Sequence, residues 1–264
     1  MPTRLILESD DFGITPAVST AILELLASRA ITSTNLMVGM PEASTAVASA
    51  RAAGVTHMGI HLILDRHHAI TPTSEIPSLI DPATDQFWQF EQLETRAKAG
   101  LVRFAEVRLE LVAQIQRAQR LGIQIDHITT HHGLTLLGPK WHQMIADLAN
   151  LIHVPMRNER SLFSLAPDRS WVEAPQTIAP KQPAVTYALD ANQDQPHDAF
   201  AFIDALSDYT VGELIGHAGR VDHLLEQRSS LTDRRASDYA FFTSATVRAG
   251  LAQRKIKLIN YRDL

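Results

Sequence analysis

RLILESDDFGITP (4–16) is the stretch whose reading decides the fold. RLILE (4–8) is a short apolar run ending in acidic residues, the pattern of a buried strand. From Pro16 onward, Val18, Ala21, Ile22, Leu25 and Leu26 fall at helical spacing, with Thr15 as N-cap and Pro16 as first helical residue. A buried strand that runs through a polar turn into a helix is the repeating unit of an α/β fold.

The same alternation continues outward. TSTNLMV (32–38) is β-rich, Pro41 to Ala53 is Ala-rich and helical with Gly54 as its stop, and HMGIHLIL (57–64) reads as a strand. A helix is predicted over 103–121, with Val107, Leu111, Ile115 and Ala118 on one face and Gly122 at its end. IDHITT (125–130) is the next strand, followed by a helix near 139–150. Further helices are predicted near 197–208 and 234–253, and strands near 210–217 and at KLINY (257–261). The apolar pattern of KLINY implies that the chain end packs on the body of the fold. Residues 65–100 and 151–196 lack a period; the first is long enough to be a functional loop region with short helices. Over 264 residues this order implies a parallel sheet wrapped by helices, and at this length a distorted (β/α) TIM-like barrel rather than an open sheet.

Composition narrows the chemistry. Hydrophobic residues are 45% and charged residues 20% of the chain, enough for a full core, and the formal net charge of −5 offers no basic footprint for nucleic acid. There is no cysteine, so disulfides, thiol nucleophiles and thiolate-bound metals are excluded. Histidine is abundant at 12 residues, so a metal would be held by imidazoles and carboxylates. The N-terminus turns acidic too soon for a signal-peptide core and no apolar run approaches a membrane span, so a cytoplasmic protein without membrane contact is expected.

Four segments carry ligand-type residues at strand ends. ESDDFG (8–13) places Asp10 and Asp11 side by side; neighbouring strand residues face opposite ways, so both reach one site only if the backbone turns there. GIHLIL (59–64) sets His61 in an apolar run, where a buried imidazole needs a hydrogen bond or a ligand role. HITTHH (127–132) offers His131 and His132, of which one can be a ligand while the other supports the ligands from behind or is solvated. IGHAGRVD (215–222) sets His217 between Gly216 and Gly219. One Asp plus two His with open positions suits Zn²⁺ better than Mg²⁺, which prefers oxygen. Asp10 beside the ligand is then the natural general base, and His217 a proton donor to a departing amine. Arg157 is placed to orient Asp10 or contact substrate. Trp88, Trp141 and Trp171 are candidate stacking faces for a ligand and, equally, candidate core or interface anchors.

ESDDFG, TSTNLMV, GIHLIL, PSLID, VRLELVAQI, HITTHH, GHAG and the ending TSATVRAGLAQRKIKLINYRDL together resemble the YdjC-like carbohydrate deacetylases, the chitooligosaccharide deacetylase family. The resemblance runs over 4–264 and is weakest over 160–210. It implies one catalytic barrel domain over 1–264, a single divalent metal ion on Asp11, His61 and His131, Asp10 as base and His217 acting late. It further implies a homodimer and a substrate carrying N-acetylglucosamine. Arg157 and His132 are then candidate substrate contacts. Two alternatives remain beside it: a metal-dependent esterase or phosphoesterase, and a non-catalytic sugar-binding protein. Against the family's H-x-D-S-H-Q-H, the chain has Thr129 in place of the Asp and Gly133 in place of the last His. Gly216-His217-Ala218-Gly219 replaces C-H-P-G. A carboxylate behind the ligands is therefore expected to be missing.

Overall fold

The computed structural model describes residues 3–162, 180–190, 195–206 and 211–264. The first half runs β1 (Arg4–Phe12), α1 (Pro16–Ala27), β2 (Ser33–Leu36), α2 (Ala43–Ala52) and β3 (His57–Leu62). A small hairpin follows, β4 (Ile80–Asp81) and β5 (Gln86–Phe87), then α3 (Phe90–Lys98), α4 (Phe104–Arg120), β6 (Gln124–Thr130) and α5 (Pro139–Leu151). The second half holds β7 (Val185–Ala188), α6 (Gln195–Asp204), β8 (Val211–Gly216), α7 (His223–Arg228), α8 (Asp233–Thr243), α9 (Ala245–Gln253) and β9 (Lys257–Ile259).

Local signals place most of these elements. The Thr15 hydroxyl accepts from Val18 N at 3.3 Å and Pro16 opens α1, as the sequence predicts. Gly54 and Gly122, both at positive φ, follow α2 and α4. Three features depart from the sequence expectation. The strand β7 lies within the stretch read as irregular. The region 65–100 contains, besides a short helix of the kind expected there (α3), a β-hairpin. The single helix expected over 234–253 is two, because the Ser244 side chain caps Val247 N and starts α9 anew.

The large sheet is parallel throughout, in the order β6-β3-β2-β1-β8-β7. Its hub is β1. One edge of β1 pairs with β8; the other pairs with β9 over Arg4–Ile6 and with β2 from Glu8 onward. Beyond β6 the chain at 155–157 continues the ring: Met156 bridges Ile128 in parallel, and its N–H donates to Lys181 O at 2.9 Å, ahead of β7. The result is the distorted (β/α) barrel.

One face of each strand packs under the helices, through Leu5, Leu7, Leu36, Met58, Ile60, Ile128 and Leu214. The other face looks into the barrel and is polar. Glu8 Oε1 meets His127 Nε2 at 2.9 Å, Asn35 donates to Glu8 and Asp10 at 2.7 Å each, and Thr186 donates to Glu213 at 3.0 Å. Gly59 makes room for this filling: a Cβ there would lie 2.2 Å from His127 Nε2. The floor is a small apolar cluster of Ile6, Val211, Ile259 and Tyr261, with the Tyr261 ring stacked on His127 at 3.8 Å.

Besides its apolar stripe, α4 buries a polar one, Glu106, Glu110 and Gln114, at i, i+4 and i+8. Glu110 accepts from Ile70 N and Thr71 N, Glu106 accepts from Ser78 N, and Gln114 bonds both N and O of Ile63. This helix thereby fixes the loop that follows β3. No helix among the described residues is long and apolar enough to cross a membrane.

Because Tyr261 is fully buried beneath the barrel interior, the chain end is structural. Tyr261→Ala is expected to cost about 3–5 kcal/mol, and deletion of 255–264 to abolish cooperative unfolding. A truncated protein melting at the parental temperature would refute this role.

Candidate active site

β1 ends in a break that brings two neighbouring carboxylates together. Asp11 adopts φ +72, and the register with β2 shifts between Ser9 and Phe12. The turn expected from Gly13 (φ +93) thus already begins at Asp11, a residue type that tolerates the left-handed region better than most. Asn35 holds the turn by accepting from Asp11 N at 3.3 Å while donating to Glu8 and Asp10.

Asp10 is clamped. Arg157 Nη1 and Nη2 donate to its two oxygens at 2.7 and 2.8 Å, and Arg157 Nε donates to Glu213 at 3.0 Å. With its guanidinium buried and engaged by carboxylates, Arg157 takes the orienting role of the two open to it. Burial pushes the Asp10 carboxyl up, but Arg157 overrides it and holds the pKa well below the usual carboxylate range. Glu213 is raised to about 7, burial outweighing the pull of Arg157.

Asp11 faces the other way. Its Oδ2 accepts from Arg235 Nη2 at 2.6 Å, while its buried Oδ1 has no hydrogen-bond partner among the described residues and sits 3.5 Å from His61 Nε2. Burial opposes ionisation, yet Arg235 and the nearby histidines keep this pKa well below normal. His61 Nδ1 is bonded to Thr129 Oγ1 at 2.7 Å, which leaves Nε2 turned to Asp11. Burial lowers the His61 pKa to about 3, against the pull of Asp10 and Asp11, so the ring is neutral as a ligand must be. His131 stands edge-on to His61, ring centroids 5.6 Å apart, and its Nδ1 contacts Asp65 at 2.9 Å.

A carboxylate does therefore back a histidine, but it is Asp65, directly after the run HMGIHLIL (57–64). Thr129, which stands where the family pattern has Asp, serves His61 with a hydroxyl instead. His132 also contacts Asp65, and among the described residues it is Asp65, His131 and His132 whose ligand atoms lie within 4.8 Å of one another and could hold a metal ion; the expected set of Asp11, His61 and His131 is not gathered so closely. The 3₁₀ turn His131–Leu137 starts with His132 at φ 53 and Gly133 at φ 67. Glu159 pins it, accepting from Thr130 N at 2.8 Å and from Thr135 Oγ1 at 2.6 Å.

His217 follows β8. Its backbone N–H donates to Asp238 at 2.7 Å, and Ala218 N donates to Ser9 Oγ at 3.0 Å. Burial lowers the His217 pKa more than Asp11 and Asp10 raise it, so the ring is neutral at rest. Asp10, His61, His131, His132, Arg157 and His217 all line one pocket of about 520 Å³ at the C-terminal ends of the strands; Asp11 lies just beneath it. Phe90, tilted against His132 at 4.8 Å, is its aromatic wall. Trp88 packs under Arg96 and Trp141 against Phe104, so neither faces the pocket; Trp171 lies outside the described residues.

Sequence reasoning passed over Asn35, Asp65, Glu213, Arg235 and Asp238. Asn35 and Glu213 had a signal, being polar within buried strand runs, and Asp65 ends such a run. Arg235 and Asp238 lie in a polar helix where nothing marks them.

The sequence and the fold are shared with known proteins. A sequence model of the family described as YdjC-like protein matches residues 4–253. The chain belongs to the YdjC-like family. Among YdjC-like relatives, proteins named "Carbohydrate deacetylase" from Enterococcus faecalis and Geobacillus stearothermophilus are 29% and 27% identical. They align over 99% and 100% of this chain and 98% of each relative. A crystal structure from Enterococcus faecalis V583, described as a candidate for cellobiose-phosphate cleavage, superposes with a TM-score of 0.87. It is 28% identical and covers 100% of this chain and 99% of its own.

The barrel interior makes a pH prediction for this YdjC-like chain. Burial disfavours the His127 imidazolium, but Glu8 at 2.9 Å and Asp126 at 2.7 Å reverse this and raise its pKa to about 10. A folded value above the unfolded ~6.5 gives stability that is complete below that value and lost as pH rises through about 10. In denaturant titrations the gap between wild type and His127→Asn should narrow over this range; a gap that stays constant contradicts the assignment.

Proposed function

We propose that the chain is a metal-dependent hydrolase that removes the N-acetyl group from an acetylated amino sugar, of N-acetylglucosamine or short chitooligosaccharide type. The observation that carries this is the buried Asp11 Oδ1, without a hydrogen-bond partner and facing His61 Nε2, beside a His131 whose other nitrogen is already held. Asp11, His61 and His131 would hold one divalent cation, Zn²⁺ by the chemistry of two nitrogens and one oxygen. Thr129 and Asp65 orient the two rings from behind. The names borne by the relatives support the reaction class. A phosphoesterase would want free cations in the pocket; Arg157 is spent on Asp10 and Glu213, and Arg234, which also lines the pocket, donates to Leu189 O and stands 3.7 Å from Asp238.

A bound cation polarises the acetyl carbonyl and acidifies water. Asp10 accepts the proton of the attacking water. Held so low by Arg157, it is a weak base at rest, so its help comes from fixed position rather than basicity. The proton that Asp10 takes from water passes to His217, neutral at rest and close enough to feel both aspartates, and from the imidazolium so formed to the amine nitrogen as the C–N bond breaks. His132 and Phe90 form the wall against which the sugar lies.

Acetate release from a panel of acetylated mono- and disaccharides should vanish with chelator and return with Zn²⁺. Asp10→Asn should keep metal and sugar binding and lose about 10²–10⁴-fold in kcat, whereas Asp11→Asn loses the metal too. Near-normal kcat in Asp10→Asn overturns its role. If His61→Ala keeps its metal while His132→Ala loses it, the site moves to the Asp65 group.

A further inference from the structure

The cation of Arg235 is wholly buried on α8, and its bonding is unusually directed. Nη2 meets Asp11 Oδ2 at 2.6 Å, and Nε donates to Leu231 O at 3.1 Å one turn back. Its own carbonyl accepts from Gly219 N at 3.1 Å, in the loop that carries His217. Three residues on, the fully buried Asp238 holds the His217 backbone N–H. One helix therefore grips both the carboxylate of β1 and the histidine loop after β8.

The consequence for Asp11 is an asymmetry between its two oxygens. Oδ2 is occupied by a guanidinium, and Oδ1 alone is free. A carboxylate that binds with both oxygens fills two coordination positions; one that binds with a single oxygen leaves a position open. With only three protein ligands, that open position decides whether water and a substrate oxygen fit together.

We propose that Arg235 is a positioning residue that restricts Asp11 to one-oxygen coordination, and so keeps the metal's remaining positions open for the reaction. This rests on Asp11, His61 and His131 being the metal ligands. Arg235 does not itself line the pocket, and its terminal nitrogen reaches the site through Asp11. It also keeps a positive charge beside the cation, which opposes neutralisation of the site by its own carboxylate.

The test uses the full-length protein loaded with Co²⁺, whose visible absorption weakens as coordination number rises. In wild type, X-ray absorption or a Co²⁺-loaded crystal structure should show Asp11 bound through Oδ1 only. In Arg235→Met the freed Oδ2 should join the metal. Co²⁺ absorption then weakens and Co²⁺ stays bound, while turnover falls about 10–100-fold, as for other groups behind metal ligands. Arg235→Lys, which keeps the charge, should recover part of the wild-type spectrum. A folded Arg235→Met with an unchanged Co²⁺ spectrum overturns the proposal, because a merely structural arginine would alter only the melting temperature. If that variant does not fold, the wild-type measurement decides, and two Asp11 oxygens on the metal overturn the proposal. Wild-type protein that takes up no Co²⁺ overturns the metal-site reading and this inference with it.

Discussion

The guanidinium of Arg157 stands inside the barrel, away from water, with Asp10 on its two terminal nitrogens and Glu213 on Nε. A cation in such a place persists only when carboxylates surround it, and removing one partner of a buried set typically costs about 3–5 kcal/mol. These bonds tie the segment after β6 to the paired strands β1 and β8, to which no run of ladder bonds connects it directly. The barrel's closure and the orientation of Asp10 are thus one interaction seen from two sides. Glu8 and Glu213 face each other across the same interior, and burial with mutual repulsion raises Glu213 to about 7. The interior is filled by charge pairing where other barrels use layers of branched apolar side chains.

Two of the non-glycine residues at positive φ sit in the candidate site, while Arg29, His67, Asp85, His153 and Lys255 lie elsewhere. Asp11 and His132 both hold left-handed φ values, one as β1 runs out and the other just past β6. Such conformations cost about 1–3 kcal/mol each and persist where surrounding bonds enforce them. Asn35 and Arg235 do so at the first, Asp65 and Glu159 at the second.

The architecture was legible because apolar runs and helix caps are local. Thr15-Pro16, Gly54 and the run HMGIHLIL announce their elements without tertiary help. The break at Ser244 and the short β7 were not, since each depends on a cap or partner strand far weaker than the surrounding pattern. The pocket residues Asp10, His61, His131 and His217 stood out as polar groups ending buried runs. Their supporting partners did not, because Arg235 and Asp238 look like any charged pair on an exposed helix face. Only the packing of α8 on β1 makes them interior. Thr129 misled in the opposite sense: read as a lost carboxylate, it supplies a hydrogen bond of its own.

The buried polar stripe of α4 reaches the loop after β3 almost wholly through peptide groups: the N–H of Ile63, Ile70, Thr71 and Ser78, and one carbonyl. Peptide groups are the same whatever side chain they carry. The anchor therefore sets the path of that loop while leaving most of its letters unread. A lineage can rewrite those letters without renegotiating how the loop is held.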